Sequence, residues 1–333
     1  MTDRVTMADV ARETGVSLMT VSRVVNDKGE VSPATRQRVL EAVEQLGYRP
    51  SGIARGLATQ RTGTLGLVVP DVANPFFADV ARGVEQQAYA RGYNVFLCNT
   101  DEDPRRELAV LWSLEEKRVD GIVLCSSRLA DDDLEAALEE FPASVLVNRQ
   151  LEGSKVGTVL LADVQAAYEA TRHLLHSGHE AIGFLAGPSV SFSGRLRASG
   201  YRRALSTGGI VADASWILNC APTVQGGLEA AADLLSAVPG LEGLLCFNDL
   251  VAVGALQACA GVGRHVPRDV AVVGFDDIPL AALVTPRLTT CRVPRYELGA
   301  QAVVSLLRQI DGESDEPEAK VLRPELVVRS SAP

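Results

Sequence analysis

The first fifty residues place apolar side chains at helical spacing in three short blocks. Thr6, Ser17 and Ser32 are favoured N-cap residues, and a proline follows the third at the first helical position. Gly15 and Gly47 can take the left-handed conformation that ends a helix. The residues predicted to face inward are Met7, Val10 and Ala11, then Val21, Val24 and Val25, then Val39, Val43 and Leu46. Three short helices, the first two joined through a glycine turn, are typical of a helix-turn-helix.

Beyond residue 62 the pattern changes to short apolar runs separated by amphipathic segments. The predicted strands are 65–69, 94–98, 121–125, 144–148, 181–187, 243–248 and 270–275, and a helix is expected over about 76–91. Continuous apolar strands that alternate with helices indicate parallel sheets covered on both faces, so we expect all of these strands to be buried. The two successive series of strands predict two Rossmann-like lobes.

Composition agrees with this division. The chain has 333 residues, enough for about two domains, with 47% hydrophobic and 22% charged residues. No apolar run is long enough to cross a bilayer, and the N-terminus lacks a secretory signal, so we expect a cytoplasmic protein without membrane association. The six cysteines are scattered without a C-x-x-C pair, which fits reduced thiols rather than disulfides or zinc ligands.

The charge is unevenly distributed. The net charge is −10, yet residues 1–61 carry nine Arg or Lys against seven Asp or Glu, whereas the remainder carries 23 against 35. Only the N-terminal segment is therefore not repelled by nucleic-acid phosphates. This small excess of positive charge is weak evidence by itself, so a prediction of DNA binding rests on the geometry of the motif.

The second predicted helix presents a surface suited to the major groove. Leu18, Met19 and Arg23 lie where a recognition helix meets base edges, and Arg23 can bind guanine bidentately. The short donors are suited to phosphates and are Thr20, Ser22 and Asn26; the capping segments add the candidate DNA contacts Thr6, Ser17, Ser32 and Thr35. The alternative is an ordinary three-helix subdomain with a solvated polar face.

Four segments resemble the headpiece of the LacI/GalR (lactose-repressor) family of bacterial regulators. They are V-S-L-M-T-V-S-R-V-V-N (16–26), V-S-P-A-T-R (31–36), L-G-Y-R-P (46–50) and A-R-G-L-A (54–58), and the similarity continues along nearly the whole chain. The resemblance implies a hinge helix over 51–58, in which Leu57, beside Ala54, enters the minor groove. The candidate hinge contacts are Ser51, Ala54, Leu57 and Ala58. A leucine between base pairs unstacks and kinks the duplex. Because so short a helix is marginal in water, we expect it to form when two hinges pack on DNA.

The resemblance also implies the architecture. We expect an all-α helix-turn-helix headpiece (1–49), a hinge helix and linker (50–62), and an α/β core like that of periplasmic binding proteins (63–333). The first Rossmann-like lobe would comprise about 63–162 and 293–322, and the second about 163–292 and 323–333. The chain would cross between the lobes three times, and a helix over about 295–310 would return to the first lobe.

Ligands of open parallel sheets bind at the carboxyl ends of the strands. Strand position and family resemblance together select Phe76, Phe77, Asn148, Arg149, Ser193, Arg197, Asn248 and Asp276 as candidate effector contacts. Arg197 and Asp276 would supply a donor fork and an acceptor, as a sugar diol requires. The alternative is that Asp276 caps a loop and Arg197 is a surface cation. Pro222 stands where the family often has a stacking aromatic, and residues 163–167 (D-V-Q-A-A) lack the usual D-N-x-x-G.

Other signals do not indicate catalysis. His173, His176 and His179 are spaced three apart, but Gly178 ends the helix, so a structural role is favoured over metal binding. No nucleotide-binding, nucleophile-elbow or zinc-protease motif is present, and we expect no cofactor and no metal.

Three hypotheses remain: a ligand-gated repressor, a small-molecule binding protein without a DNA role, and an enzyme built on doubly wound lobes. The headpiece favours the repressor. The expected partners are operator DNA, a small polar effector such as a sugar, and a second copy of the chain, because one recognition helix reads too few bases. No heptad repeat follows residue 310, which argues against a tetramer.

Overall fold

The computed structural model describes residues 5–29, 31–48, 61–154, 156–211, 213–313 and 319–333. The chain divides between residues 62 and 63 into two compact units, which are described separately. The first unit contains three helices: α1 (Met7–Thr14), α2 (Leu18–Val25) and α3 (Pro33–Leu46). Within the described residues, every helix is too short or too polar to cross a membrane.

The N-caps of α1 and α2 form as their residue types predict. The backbone N–H of Thr6 donates to Asp9 Oδ2 at 2.9 Å, and the Thr6 hydroxyl donates to the same oxygen at 2.7 Å. These hydrogen bonds lower the pKa of Asp9. Ser17 Oγ accepts from the backbone N–H of Thr20 at 3.1 Å. Gly15 is left-handed, with φ of 66°, and provides the tight turn between the two helices.

The core of this unit consists of Val10, Val21, Val24, Val39, Ala42 and Tyr48. In the third helix Val39 is fully buried, and Val43 and Leu46 are half-buried and pack against this core as predicted. Gly47 is left-handed, and the N–H of Tyr48 donates to the carbonyl of Val43 at 2.9 Å. Tyr48, which follows this turn, is buried in the same core.

The second unit contains two six-stranded sheets. The first has β1 (Thr64–Val69), β2 (Asn94–Asn99), β3 (Gly121–Cys125), β4 (Ser144–Val147), β5 (Gly157–Leu161) and β11 (Ala319–Leu322). Its order is β11-β5-β4-β3-β1-β2, and all pairs are parallel. The second has β6 (Ile182–Leu185), β7 (Ile217–Leu218), β8 (Gly243–Cys246), β9 (Ala271–Asp276), β10 (Thr289–Arg292) and β12 (Glu325–Val327). Its order is β12-β10-β9-β8-β6-β7, and only β12 is antiparallel.

Helices cover both sheets. The first sheet carries α4 (Pro75–Ala90), α5 (Pro104–Glu116), α6 (Asp131–Glu139) and α11 (Arg295–Ile310). The second carries α7 (Asp163–His176), α8 (Phe192–Thr207), α9 (Val224–Ala237) and α10 (Asp249–Gly261). The chain crosses between the sheets after β5, β10 and β11. The predicted fold class, a helix-turn-helix unit followed by two parallel α/β lobes, is confirmed.

Strand β2 departs from the prediction that all strands are buried. It lies at the edge of the first sheet, beyond β1, and leaves Phe96 and Leu97 exposed by 44% and 51%. An apolar run in the sequence has the same appearance in a central strand and in an edge strand. The sheet order, which the run does not encode, determines the exposure.

Helices α4 and α11 pack with their backbones in contact. A Cβ atom added to Gly83 would lie 2.1 Å from the carbonyl oxygen of Tyr296, and one added to Gly299 would lie 2.1 Å from that of Val80. No side chain other than hydrogen fits at either position. The two helices therefore form one tightly joined pair on the face of the first sheet.

Candidate DNA-binding helix and effector cleft

Helix α2 separates its apolar residues between two faces. Val21 and Val24 are buried in the core of the first unit, whereas Leu18 and Met19 are exposed by 53% and 67% at the helix N-terminus. Exposed large aliphatic side chains contribute nothing to this core and lie where a recognition helix meets base edges. Arg23 lies on the same helix and is half-buried.

The predicted phosphate contacts lie on this helix and at the helix starts, and several are already hydrogen-bonded. Ser17 and Thr20 share a side-chain hydrogen bond of 2.9 Å, and Asn26 Nδ2 donates to the carbonyl of Ser22 at 2.9 Å. Ser32 Oγ accepts from the N–H of Thr35 at 3.3 Å, and Thr6 is part of the α1 cap. The hinge candidates Ser51, Ala54, Leu57 and Ala58 lie outside the described residues.

A cleft lies between the two lobes. The first lobe lines it with Asn74, Phe76, Phe77, Glu102, Ser126, Arg128 and Asn148, all after strand ends. The second lobe contributes Ser191, Ser193, Arg197, Pro222, Phe247, Asn248 and Asp276. The side chains therefore converge on one space at the carboxyl ends of the strands, as in other open α/β sheets.

Seven of the eight candidate effector residues line this cleft, and Arg149 does not. The Arg149 guanidinium is bonded to Asp131 and to the carbonyls of Leu129 (3.3 Å) and Gln150 (2.9 Å). Its carbon lies 5.8 Å from the ring centroid of Phe192, in the second lobe. Arg149 thus lies outside the lining of this cleft, and its guanidinium is bonded within the first lobe.

Sequence reasoning missed two charged residues of the cleft, Glu102 and Arg128. Arg128 is buried and donates to both carboxylate oxygens of Glu102, at 2.5 and 3.1 Å. They follow β2 and β3 at the same edge as the predicted residues. The rule that ligands bind beyond strand ends would have found them had it been applied to these two strands as well.

Arg197 is fixed by contacts on several sides. Its Nε donates to Asp163 Oδ1 at 2.8 Å, and an Nη donates to the carbonyl of Phe247 at 2.5 Å. Its guanidinium carbon lies 3.6 Å from the ring centroid of Phe275. Burial raises the pKa of Asp163, and the adjacent Arg197 opposes that shift. Arg197 is therefore not the surface cation of the alternative interpretation.

Two acceptors in the cleft, one from each lobe, have no donor among the described residues. Asn148 Oδ1 is fully buried without a hydrogen-bond partner, and Asn148 is held left-handed with φ of 53°. Asp276 is 5% exposed, its backbone φ is 114°, and no described group donates to its carboxylate. Burial raises the pKa of Asp276 to about 7, although Arg197 and Arg295 favour the charged form.

The remaining cleft residues supply apolar surface and fixed polar groups. Phe76 and Phe77 meet edge to face, with ring centroids 5.0 Å apart. Asn248 caps α10 by accepting from the N–H of Val251 at 2.8 Å, and its Nδ2 donates to the carbonyl of Pro222 at 3.3 Å. Pro222 therefore lines the cleft at the position where an aromatic was expected from the family pattern.

The histidine series has no metal-binding geometry. His173 Nε2 lies 2.9 Å from the carbonyl oxygen of Ala332, which ties α7 to the C-terminal segment. Within the described ranges, no group of three or more His, Cys, Asp or Glu side chains is arranged to hold a metal ion.

Together, a helix-turn-helix unit and a two-lobed receptor with a polar cleft define the class of ligand-responsive transcription regulators. The profile of "Bacterial regulatory proteins, lacI family" matches residues 6–51. That of "Periplasmic binding proteins and sugar binding domain of LacI family" matches residues 62–325. The chain belongs to the LacI family of bacterial transcription regulators.

Individual relatives match this chain over nearly its full length and nearly their own. Catabolite control protein A of Priestia megaterium is 36% identical over 93% of this chain and 94% of its own. The transcriptional repressor PurR of Photobacterium profundum is 36% identical over 98% of both chains. The lac repressor dimer bound to operator and the anti-inducer ONPF superposes with a TM-score of 0.89, at 27% identity over 99% of both chains. These relatives are regulators, not enzymes.

Proposed function

We propose that this protein is a repressor that binds a pseudo-palindromic operator as a dimer and responds to a small polyhydroxylated ligand, a sugar or sugar derivative, in the interlobe cleft. The observation that carries the ligand class is the buried Asn148 Oδ1, which lacks a partner, together with the Asp276 carboxylate on the opposite lobe, to which no described group donates. A buried acceptor without a donor costs free energy, so a ligand that donates to both is favoured.

The other groups in the cleft narrow the class of ligand further. The rings of Phe76, Phe77 and Phe247 offer apolar faces of the kind that sugar rings stack against. Glu102 and Arg128 add paired polar groups on the first lobe. The lining is mainly polar with a few aromatic faces, and such a combination of hydrogen-bonding groups and rings suits a hydroxyl-rich ligand. The related regulator CelR has been determined as a complex with cellobiose. Its structure superposes with a TM-score of 0.75 at 32% identity over 98% of this chain and 100% of that chain.

Dimerisation is supported by the edge of the first sheet. Phe96 and Leu97 present an exposed apolar surface on β2, an edge strand whose outer backbone groups would otherwise promote aggregation. A second copy of the chain would cover this edge and place two recognition helices on one duplex, as a pseudo-palindromic site requires.

Substitution of Phe96 by Asp is expected to shift the protein to monomer in sedimentation velocity. Val262→Asp, at an equally exposed apolar position in the other lobe, is the matched control and should leave the dimer intact.

The proposed mechanism is a linkage between cleft and hinge. A ligand that contacts Asn148 and Asp276 joins the two lobes and changes the relative position of the first lobes of the dimer. The hinge segment 51–58 then loses or gains its packing on DNA. Coupling between such sites is typically about 1–3 kcal/mol, which changes operator affinity by about 5- to 150-fold.

Two measurements test the proposal. Selection from a random duplex pool is expected to enrich a palindrome, and the enriched site should bind in a gel shift at moderate salt. A thermal-shift screen with neutral mono- and disaccharides should then find a compound that raises the melting temperature by mass action. Enrichment of no palindrome would contradict the DNA assignment. Stabilisation by the same sugar in an Asp276→Ala variant would contradict the ligand site.

A further inference from the structure

The turn that presents Asp276 to the cleft has an unusual backbone. Asp276 and Asp277 follow each other with φ of 114° and 56°, a region that residues other than glycine rarely adopt. Such a conformation persists only when surrounding contacts hold it. The Asp277 carboxylate is held by Arg292 at 2.7 Å and by Arg329 at 2.6 Å, both from the second lobe.

The backbone of the same turn is held from the other lobe by Arg295, the first residue of α11. One Nη of Arg295 donates to the carbonyl oxygen of Asp276 and, at 2.7 Å, to that of Asp277. Its Nε and other Nη lie 3.0 and 2.9 Å from Asp79 Oδ2. Asp79 belongs to α4 of the first lobe. A single guanidinium therefore joins the effector turn of one lobe to a helix of the other.

Helix α4 is placed to respond to this connection. Phe76 and Phe77 lie one turn before Asp79 and line the cleft. The close packing at Gly83 joins α4 to α11, the helix that carries Arg295. A shift of the turn thus acts on two helices that are already in backbone contact.

We propose that Arg295 is a positioning residue that fixes the Asp276 turn and connects its position to α4 of the first lobe. This inference rests on the proposed function in that Asp276 is taken as an effector contact. The planar guanidinium is suited to the role because it can donate to two carbonyls and a carboxylate at once, which a lysine ammonium cannot do in the same planar geometry.

Hydrogen exchange of the full-length protein without ligand tests the connection. The reporters are the N–H of Ile278, which donates to Asp249 Oδ2 at 2.8 Å, and the amides of residues 79–83 in α4. Arg295→Gln is expected to raise exchange at both reporters by about fivefold or more, because both ends of the connection are released. Arg292→Gln is the matched control: it removes another arginine bound to the same turn, but one from within the second lobe. It should raise exchange at Ile278 alone.

Asp79→Asn provides a second test, from the opposite end. Asp79 does not contact the turn, so faster exchange of Ile278 in this variant would require transmission through Arg295. The inference would be overturned if the exchange of Ile278 were unchanged in Asp79→Asn. It would also be overturned if the exchange of the α4 amides were unchanged in an Arg295→Gln variant that folds. Because no ligand or DNA is used, failure here leaves the proposed function standing, and failure of the sugar screen leaves this result unaffected.

Discussion

The Nε of Arg197 donates to Asp163 Oδ1 at 2.8 Å, and the two side chains are exposed by only 4% and 2%. The ion pair joins the first residue of α7 to the second turn of α8, and Arg197 itself lines the cleft. Arg197 therefore has two roles: it forms a buried ion pair with Asp163, and it lines the interlobe cleft. Loss of a ligand response in an Arg197 variant would identify a ligand contact only if the stability of the variant were measured as well.

Removal of one partner of this pair should be costly. Arg197→Met leaves Asp163 as an uncompensated buried carboxylate, and breaking such a pair typically lowers stability by about 3–5 kcal/mol. Because burial already raises the pKa of Asp163, protonation relieves part of the loss at low pH. Urea unfolding should show a larger deficit at pH 8 than at pH 5. An equal deficit at both pH values would contradict the role assigned to Asp163.

Asp276 should make the protein less stable as pH rises. Its pKa is raised to about 7, from 3.8, so the folded state binds more protons than the unfolded state between about pH 4 and 7. Stability from this group therefore falls across that window. Asp276→Asn should raise the free energy of unfolding by about 1–3 kcal/mol at pH 8, with little gain at pH 4.

Asp269 offers a control of opposite sign. Bonding to Arg268 and to the backbone of His265 lowers the pKa of Asp269. Its contribution is present above the unfolded pKa and is lost as pH falls, so Asp269→Asn should destabilise at neutral pH. Thermal unfolding of both variants across pH 4–8 distinguishes the two behaviours, and a gain from both would contradict the assignment to Asp276.

Gly83→Ala should disrupt the α4–α11 pair. The new Cβ would lie 2.1 Å from the carbonyl oxygen of Tyr296, so the helices must separate. Overpacking typically costs about 1–3 kcal/mol, and backbone displacement places this change at or above the upper end. Gly261→Ala, at the end of α10 with no atom within 4 Å of its added Cβ, should be neutral or slightly stabilising by thermal unfolding. Equal effects of the two variants would exclude close packing as the cause.

Leu57→Ala should weaken operator binding without changing ligand affinity. This prediction comes from the family resemblance, since residue 57 lies outside the described residues. Loss of the minor-groove wedge removes the contacts that the kinked duplex provides. Operator affinity is expected to fall by about tenfold or more, equivalent to at least about 1.4 kcal/mol. Gel shifts measure the first quantity and thermal shift with the sugar found in the screen measures the second; a parallel loss of both would argue against separate sites.

Much of the fold follows from local patterns in the sequence. Capping residues such as Thr6 and Ser17 start their helices at the predicted positions, and Gly15 ends α1, because caps and turns depend on residues within four positions of one another. The apolar runs locate most of the central strands for a similar reason. The crossover helix expected over about 295–310 is observed at Arg295–Ile310.

Short, polar or edge strands were less predictable. β7, β10, β11 and β12 lack a continuous apolar run, and β5 (G-T-V-L-L) was not among the predicted strands although it contains one. β11 pairs with β5, which lies far earlier in the chain. Exposure of β2 and the inclusion of Tyr48 in the small core likewise depend on which elements become neighbours.

The sequence by itself determined the helix-turn-helix, the two series of parallel strands and most of the residues at the strand ends, because these depend on spacing along the chain. Only the tertiary structure decided how those residues are used. It paired Arg197 with Asp163, placed Arg149 outside the cleft, left Asn148 Oδ1 without a donor, and brought Arg295 to both lobes. Hydrogen-bond partners of buried charges are set by distances between remote segments, and a local pattern does not contain those distances.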